Sequence, residues 1–513
     1  MVLKKKKISA RRKHVRESKS AEKFARLSKF ANSSIPLAIL ILVVFAALAT
    51  FMLSINTYNE NREFWKPESE LYHNYPQIVA YGVIVFIVGL AMAVYIAHYQ
   101  ERIVGKPTRA MALAGLFLIL LALTKLGSLY QQWVYLSTGW AVTSAIILTI
   151  AYNQRFAIGM TFFFCVLASF AASNDFPHIN LFLTMMVGAV TCCFSLREIR
   201  TRMKLIEVSI IAAAAVFVIT AAIGVIQSDS LSREDIWNIS LSSGLGAAIT
   251  VAVGLVIQGF LPLIEKIFNI ATSMTLLDYS DANQPLLKKL AMEAPGTFSH
   301  SLLIGTIAEA AADSIGANGL LCRVGAYYHD IGKINKPPYF IENQMGSASR
   351  HEQLSPAMSQ LVIVGHVKDG IEIAKEYGLP GVLRQFIETH HGTTLIEYFY
   401  NEAKKQAEDK QAVVSESEFR YPGPKPRTKE AAIVMLADTS ESAVRSMSDL
   451  TPGRVEVIVH NMSVKRLQDG QFDDCDLTLR ELSKIESSIA KSIAAHHHGR
   501  IAYPKSPDEP VGK

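Results

Sequence analysis

Eight apolar runs in the first half of the chain decide most of what it can fold into. They fall at 35–54, 77–97, 110–128, 136–153, 157–173, 180–196, 205–227 and 240–262. Each approaches or reaches the roughly 20 residues that a helix needs to cross a bilayer core. In hydrocarbon every backbone polar group must be bonded within its own segment, so the runs are expected to be transmembrane helices. Composition agrees: 50% of the 513 residues are hydrophobic and 19% are charged, an apolar excess unusual for a soluble chain. Charged residues gather in the first 34 positions and after about residue 264. The first run starts later than the apolar core of a cleavable signal peptide usually does.

Loop charges read the topology independently. The arm 1–34 holds KKKK at 4–7 and RRK at 11–13, which places it in the cytoplasm by the positive-inside rule. Alternate loops are basic, with Arg102, Lys106 and Arg109, then Arg155, then Arg197, Arg200, Arg202 and Lys204. The others, 55–76, 174–179 and 228–236, are poor in net positive charge. Eight crossings return the chain to the cytoplasm. The expected location is the cell's inner (plasma) membrane, multi-pass, with the amino terminus and everything after the last span inside. Beside a membrane span, the basic arm reads as a topology determinant touching anionic lipid rather than a binder of a nucleic-acid polymer. Much of the net charge of +6 belongs to that arm. Five cysteines in no paired spacing describe neither a disulfide framework nor a thiolate metal site.

Beyond residue 264 the pattern changes to amphipathic helical stretches broken by Gly and Pro, with almost no strand alternation. The fold class is therefore expected to be all-α: a polytopic helical membrane domain followed by a cytoplasmic helical domain large enough for its own core. Stretches 319–332 (GLLCRVGAYYHDIG) and 381–392 (GVLRQFIETHHG) are expected to be helices stopped by Gly332 and Gly392. Residues 408–427, polar and then Pro-rich, read as a surface loop.

Histidines now become informative. His300, His329, His366, His390 and His391 fall at helix ends or beside apolar faces; His329 adjoins Asp330, and His390 adjoins His391. Neighbouring helical residues point about 100° apart. A doublet thus does not easily turn both side chains to one ion; it reaches two ions or lets one member bridge. A carboxylate has two oxygens to bridge with where an imidazole has one free nitrogen, so Asp330 is the natural bridge. With a further carboxylate such as Asp438, the set is too large for one tetrahedral ion and suits two octahedral ones. Imidazole and carboxylate without thiolate point to iron or manganese ahead of zinc or magnesium.

"HDIGK" with an upstream "FSHS" and later "GH", "HHG" and "AD" resembles the HD-domain metal-dependent phosphohydrolases. More narrowly, "GAYYHDIGKINKPPYFIENQ", "HVKDGIEIAKEYGLP", "HHGTTLIEYFY", "FRYPGPKPRTKEAAIVMLAD" and "LQDGQFDDCDLTL" resemble the seven-transmembrane receptors with an intracellular HD domain that hydrolyse cyclic di-AMP. The resemblance is close over about 205–503 and holds in outline over the spans. It implies that His300, His329, Asp330 and Asp438 hold one divalent ion, and Asp330, His366, His390 and His391 the other. It also implies hydrolysis of cyclic di-AMP to linear pApA by a water that the ions activate as hydroxide, and so control of a second messenger. Family members usually carry a large extracellular sensory domain after the first span; only the 22 residues 55–76 stand there in this chain. The expected organisation is a basic arm 1–34, a first span 35–54, a short segment 55–76, a seven-helix region 77–263, an HD phosphohydrolase domain 264–503 and a tail 504–513.

Lys333, placed by Gly332, is expected to support phosphate charge as a catalytic residue beside Asp330. Tyr421, Lys425, Arg427 and Arg445 are candidates to contact nucleobase or phosphate. His351 is expected to be solvated and His496–His498 to form a helix-end cluster. One rival substrate is cyclic di-GMP, whose HD branch is marked by a GYP tripeptide downstream of the histidine doublet, where this chain has HHGTTL. Another rival is a membrane receptor or scaffold that binds nucleotide without turnover, which would call for a broken ligand set. A homo-oligomer is compatible with this layout, and no residue pattern demands one.

Overall fold

A computed structural model of the protein describes residues 35–55, 75–100, 103, 107–128, 135–172, 179–196, 201–228, 231–344, 349–408, 413–447 and 450–498. The basic arm, nearly all of segment 55–76, loop residues Arg102, Lys106, Arg197 and Arg200, and the tail lie outside them. The described residues form helices and no strand, with one isolated antiparallel bridge between Leu395 and Arg420. The fold is all-α. It divides into two compact units after Phe268.

The first unit holds α1 (Ile35–Ser54), α2 (Tyr75–Tyr99), α3 (Pro107–Ser128), α4 (Leu136–Ala151), α5 (Gln154–Ala171), α6 (Ile179–Ser195), α7 (Arg202–Gln227) and α8 (Arg233–Phe268). Six of them are long and apolar enough to cross a membrane, whereas α4 and α6 have 16 and 17 residues. At about 1.5 Å per residue, α4 is shorter than a bilayer core. It tolerates this because it packs on α3, α5, α6 and α8 and buries Ala141, Val142, Ala145, Ile146 and Leu148. Lipid reaches little of it. The outer helices instead expose Val43, Phe51, Phe86 and Ile87, which in water would be a liability and in hydrocarbon is not. The chain is a multi-pass membrane protein.

Apolar helices gain little from burying apolar surface against one another in lipid, so close contact through small residues carries the association. A Cβ on Gly254 of α8 would stand 1.9 Å from the Ser209 hydroxyl of α7, and one on Gly188 of α6 would stand 2.8 Å from Val216 of α7. Helix α8 has 36 residues and outruns its expected span at both ends. At its start Ser232 and Asp235 cap each other, backbone N–H to side-chain oxygen, at 3.1 Å both ways. Glu234 and Asp235 therefore lie in the first helical turn rather than in the loop the sequence suggested, where carboxylates meet the positive end of the helix dipole. At its other end α8 continues through Pro262 to Phe268.

The second unit contains α9 (Ser273–Ser280), α10 (Pro285–Glu293), α11 (Pro295–Asp313), α12 (Gly319–Tyr328), a 3-10 turn (Ile331–Asn335), α13 (Pro356–Glu376), α14 (Gly381–Thr389), α15 (Glu397–Glu408), α16 (Lys429–Arg445), α17 (Pro452–Gln468) and α18 (Leu479–His498). Side-chain caps start several of them: Asn318 accepts from Leu321 N–H, Ser355 from Met358 and Thr428 from Ala431. Proline stands in the first turn of α10, α11, α13 and α17. One core gathers around α16, whose residues Ala431–Ala437 are all buried, with α11, α17 and α18 against it. Another joins α9, α10, α13 and α14. Helix α12 serves both: Cys322 and Ala326 face the first, Val324 and Tyr328 the second. The residues that follow it, His329 and Asp330, are thus held between two packed cores.

Three local expectations need correction. Gly332 does not stop α12, which ends at Tyr328; it lies inside the 3-10 turn. Its missing side chain lets that turn touch α13, since a Cβ would stand 1.8 Å from His366 O. Residues 413–427 are not simply a surface loop, because Phe419 and Tyr421 are buried and Arg420 bridges to Leu395. His351 is not solvated: its Nε2 lies 2.9 Å from Tyr339 O and its ring packs on Phe399.

Candidate metal centre

Five elements deliver seven donors to one place. His300 comes from the second turn of α11, His329 and Asp330 from the end of α12, His366 from the middle of α13, His390 and His391 from the end of α14, and Asp438 from α16. All are buried except His391, which is partly so. They fall into two groups of potential ligands: His300, His329 and Asp438, and Asp330, His366, His390 and His391. Asp330 stands between them. Its Oδ2 lies 3.2 Å from His329 Nε2, while its Oδ1 lies 3.4 Å from His366 Nε2 and 3.5 Å from His390 Nε2.

The doublet behaves differently from a helical pair. Both rings turn to the same group, with centroids 4.0 Å apart. This is possible because α14 ends at Thr389 and the chain then turns through Gly392 at φ +52°, so the 100° rule no longer applies.

Imidazole orientation is set from behind. His329 Nδ1 lies 2.6 Å from Ala326 O, His366 Nδ1 2.5 Å from Ile363 O, and His390 Nδ1 3.0 Å from Phe386 O and Ile387 O. His300 Nδ1 lies 2.9 Å from Glu441 Oε2. The Nδ1 of His329, His366 and His390 thus has a carbonyl behind it and that of His300 faces a carboxylate, an arrangement that turns Nε2 to the centre as in metal-binding histidines. His329 Nε2 and Asp330 Oδ1 are sealed from solvent without a hydrogen-bond partner. Sealed polar atoms of this kind are costly unless something satisfies them. The donor set therefore fits divalent cations.

Charge follows the same division. Burial holds the His366 ring down at about 3 and drives His391 well below its ordinary range. Burial also pushes down on His329, but the Asp330 carboxylate outweighs it and raises the ring to about 10. His300 is raised against its burial by Asp438 and Glu441. Asp330 and Asp438 lie well below the carboxylate range, because the facing cations and imidazoles overcome burial. Two anionic carboxylates and the neutral imidazoles of His366 and His391 suit cation binding, while the protons that Asp330 and Asp438 draw onto His329 and His300 are ones a cation would displace.

The other expected residues are spread around this centre. Lys333 is half-buried, with its Nζ 2.7 Å from Asp330 Oδ2 and 2.8 Å from Glu342 Oε1. Glu342 also accepts from the Thr297 hydroxyl at 3.1 Å, and Asn343 bonds Thr297 twice, which ties the 341–343 turn to the start of α11. Tyr421 stacks on His391, centroids 4.2 Å apart. Lys425 pairs with Asp473 at 3.3 Å, Arg427 is exposed, and Arg445 lies 3.8 Å from Glu441 at the surface. Lys333 and Tyr421 thus touch the ligand groups, whereas Lys425, Arg427 and Arg445 do not.

Sequence reasoning missed Glu441, Glu342 and Gln471. Glu441 follows Asp438 by three residues on one helix, a spacing that puts both on one face. Gln471 is fully buried; it accepts from Thr393 N–H at 2.9 Å and donates to the Thr393 hydroxyl and to Asp469. Arg420 completes this brace by donating to Thr393 O and gripping Asp469 through two nitrogens. The loop after His391 is locked by residues about 80 positions away, which no local pattern reveals.

Residues 75–272 match the family described as 7TM receptor with intracellular HD hydrolase, and residues 297–443 match the HD domain. The chain is similar to the cyclic-di-AMP phosphodiesterase PgpH of Bacillus subtilis (strain 168), 34% identical over 433 residues, covering 82% of this chain and 60% of that protein. It is also similar to the protein of the same name from Listeria monocytogenes serotype 1/2a (strain 10403S), 36% identical over 371 residues, covering 72% of this chain and 50% of the relative. The chain thus spans only 50 to 60% of the length of these relatives. A crystal structure of the L. monocytogenes PgpH HD domain in complex with cyclic-di-AMP is 45% identical, with 42% of this chain and 99% of that one covered and a TM-score of 0.40. Residues 75–272 thus carry the membrane region of the seven-transmembrane receptors with an intracellular HD hydrolase, and residues 297–443 are an HD domain.

Proposed function

We propose that the protein is a membrane-anchored, metal-dependent phosphodiesterase that hydrolyses cyclic di-AMP to linear pApA, with its amino terminus and its second unit in the cytoplasm. One observation carries this reading: the Asp330 carboxylate directs one oxygen to each of two histidine-rich donor groups. His300, His329, Asp330 and Asp438 would hold one ion, and Asp330, His366, His390 and His391 the other. Iron or manganese suits these ligands. When bound, such a pair supplies an acidified water and neutralises phosphate charge. The names of the two relatives support the adenine dinucleotide as substrate, and HHGTTL in place of a downstream GYP speaks against the guanine one.

The chain's own residues orient this chemistry. Lys333 holds the Asp330 carboxylate in line through its 2.7 Å contact, and Tyr421 fixes the His391 ring by stacking. In the hydrolysis the water oxygen bonds to phosphorus, the P–O3′ bond breaks, and the 3′ oxygen leaves with a proton. The domain limits follow as part of this proposal, with an anchor helix, a seven-helix region ending with α8, and a hydrolase domain reaching about residue 503.

The full chain, purified in detergent and loaded with manganese or iron, is the material for the test. Two ions per chain by elemental analysis and conversion of cyclic di-AMP to pApA are expected. Asp330→Ala is expected to lose at least one ion and about a hundredfold or more in turnover. Retained turnover in that variant, or preference for cyclic di-GMP, would overturn the assignment.

A further inference from the structure

We infer that Arg466 binds the second phosphate of the dinucleotide, the one that is not cleaved. This assignment rests on the proposed reading of the substrate as a cyclic dinucleotide. Such a ring carries two phosphodiesters, each with a full negative charge. A metal pair takes one of them. The other must come to rest close to the same buried donors, and an anion taken out of water needs a counter-charge there.

Most cations around the pocket are already engaged. Lys333 is held by Asp330 and Glu342, Arg420 by Glu416 and Asp469, Lys425 by Asp473, and Arg445 faces Glu441. Arg466, on α17, differs. Its one side-chain hydrogen bond runs from Nη2 to the Thr439 hydroxyl at 3.3 Å, beside the ligand Asp438. Its Nε is sealed from solvent with no partner. No carboxylate among the described residues pairs with it directly, although it feels the charges of Asp438, Asp469 and Glu397 and lies near Tyr421. Burial pushes the guanidinium below its ordinary range, and those carboxylates only partly restore it. A half-buried guanidinium with a sealed, unpartnered Nε, bonded to the residue beside a metal ligand, has donors that a phosphate's oxygens satisfy in pairs.

Bis(p-nitrophenyl) phosphate, which has a single phosphodiester, separates this role from the metal centre. In the full chain, Arg466→Gln is expected to lower kcat/KM for cyclic di-AMP by about tenfold or more, mostly through KM. It should also weaken equilibrium binding of the non-hydrolysable bisphosphorothioate analogue by a similar factor. Its metal content and its turnover of bis(p-nitrophenyl) phosphate should stay within about twofold of the parent. Arg466→Lys should recover part of the loss. Unchanged kcat/KM for cyclic di-AMP in Arg466→Gln would overturn the assignment alone, as would equal losses on both substrates together with falling metal content. A parent chain active on bis(p-nitrophenyl) phosphate but inert toward cyclic di-AMP would instead remove the substrate reading, and this assignment with it.

Discussion

Glu441 reaches His300 from one helical turn beyond Asp438, and its carboxylate sits behind the imidazole rather than in front of it. It acts as a positioning residue by fixing which nitrogen faces the centre. Glu441→Gln keeps the size but weakens the acceptor, so metal affinity or turnover should fall about 10 to 100-fold, read by competition with a chelator of known strength. Glu342 plays a structural counterpart on the other side. Burial pushes its carboxyl up, but the Lys333 ammonium outweighs burial and holds it below its ordinary value of 4.5. A depressed carboxylate contributes stability that is full above that ordinary value and fades as pH falls through the lowered one. Glu342→Gln should therefore cost about 1–3 kcal/mol at neutral pH. Calorimetric unfolding should show the gap to the parent narrowing below about pH 4. The opposite trend, a gap that widens in acid, would contradict the ion pair.

Among the elements, the contact between the 3-10 turn and α13 sets the distance from Asp330 to His366. A methyl group on Gly332 would meet main-chain atoms, 1.8 Å from His366 O and 2.5 Å from Gly370 N. Backbone cannot swing aside as a long side chain can. Gly332→Ala should cost roughly 1–3 kcal/mol or more and lower occupancy at the donors from α13 and α14, which calorimetry and elemental analysis would both register. Sequence told that this glycine matters but gave it the wrong task, because a helix stop and a close backbone approach both call for the same residue. The helices themselves were legible, since apolar runs and 3.6-residue periodicity survive in any context. The ends of α8 were not, because the charged residues at its start serve equally well in a loop or a first helical turn. Residues 413–427 escaped for a further reason. Polar and Pro-rich composition describes exposure on average, and burial of Phe419 and Tyr421 depends on partners elsewhere in the chain.

Across the whole molecule, the seven donors span 139 positions, from His300 to Asp438. Their identities could be read from composition and resemblance, but the supporting shell of Glu441, Gln471 and Arg420 could not, since its contacts close over long sequence distances. That span gives the shared carboxylate a thermodynamic consequence. Whatever satisfies Asp330 from both sides also pins five separate elements together, so filling the centre and folding the second unit become linked equilibria. Free cation at a hundredfold over its dissociation constant would add about 2.7 kcal/mol, roughly 5–10 °C in the unfolding midpoint of a unit this size. A chelator titration followed by calorimetry should show that drop in one cooperative step, because withdrawing one cation disorders the oxygen that the second relies on; two well-separated steps would mean that the halves of the site fill independently.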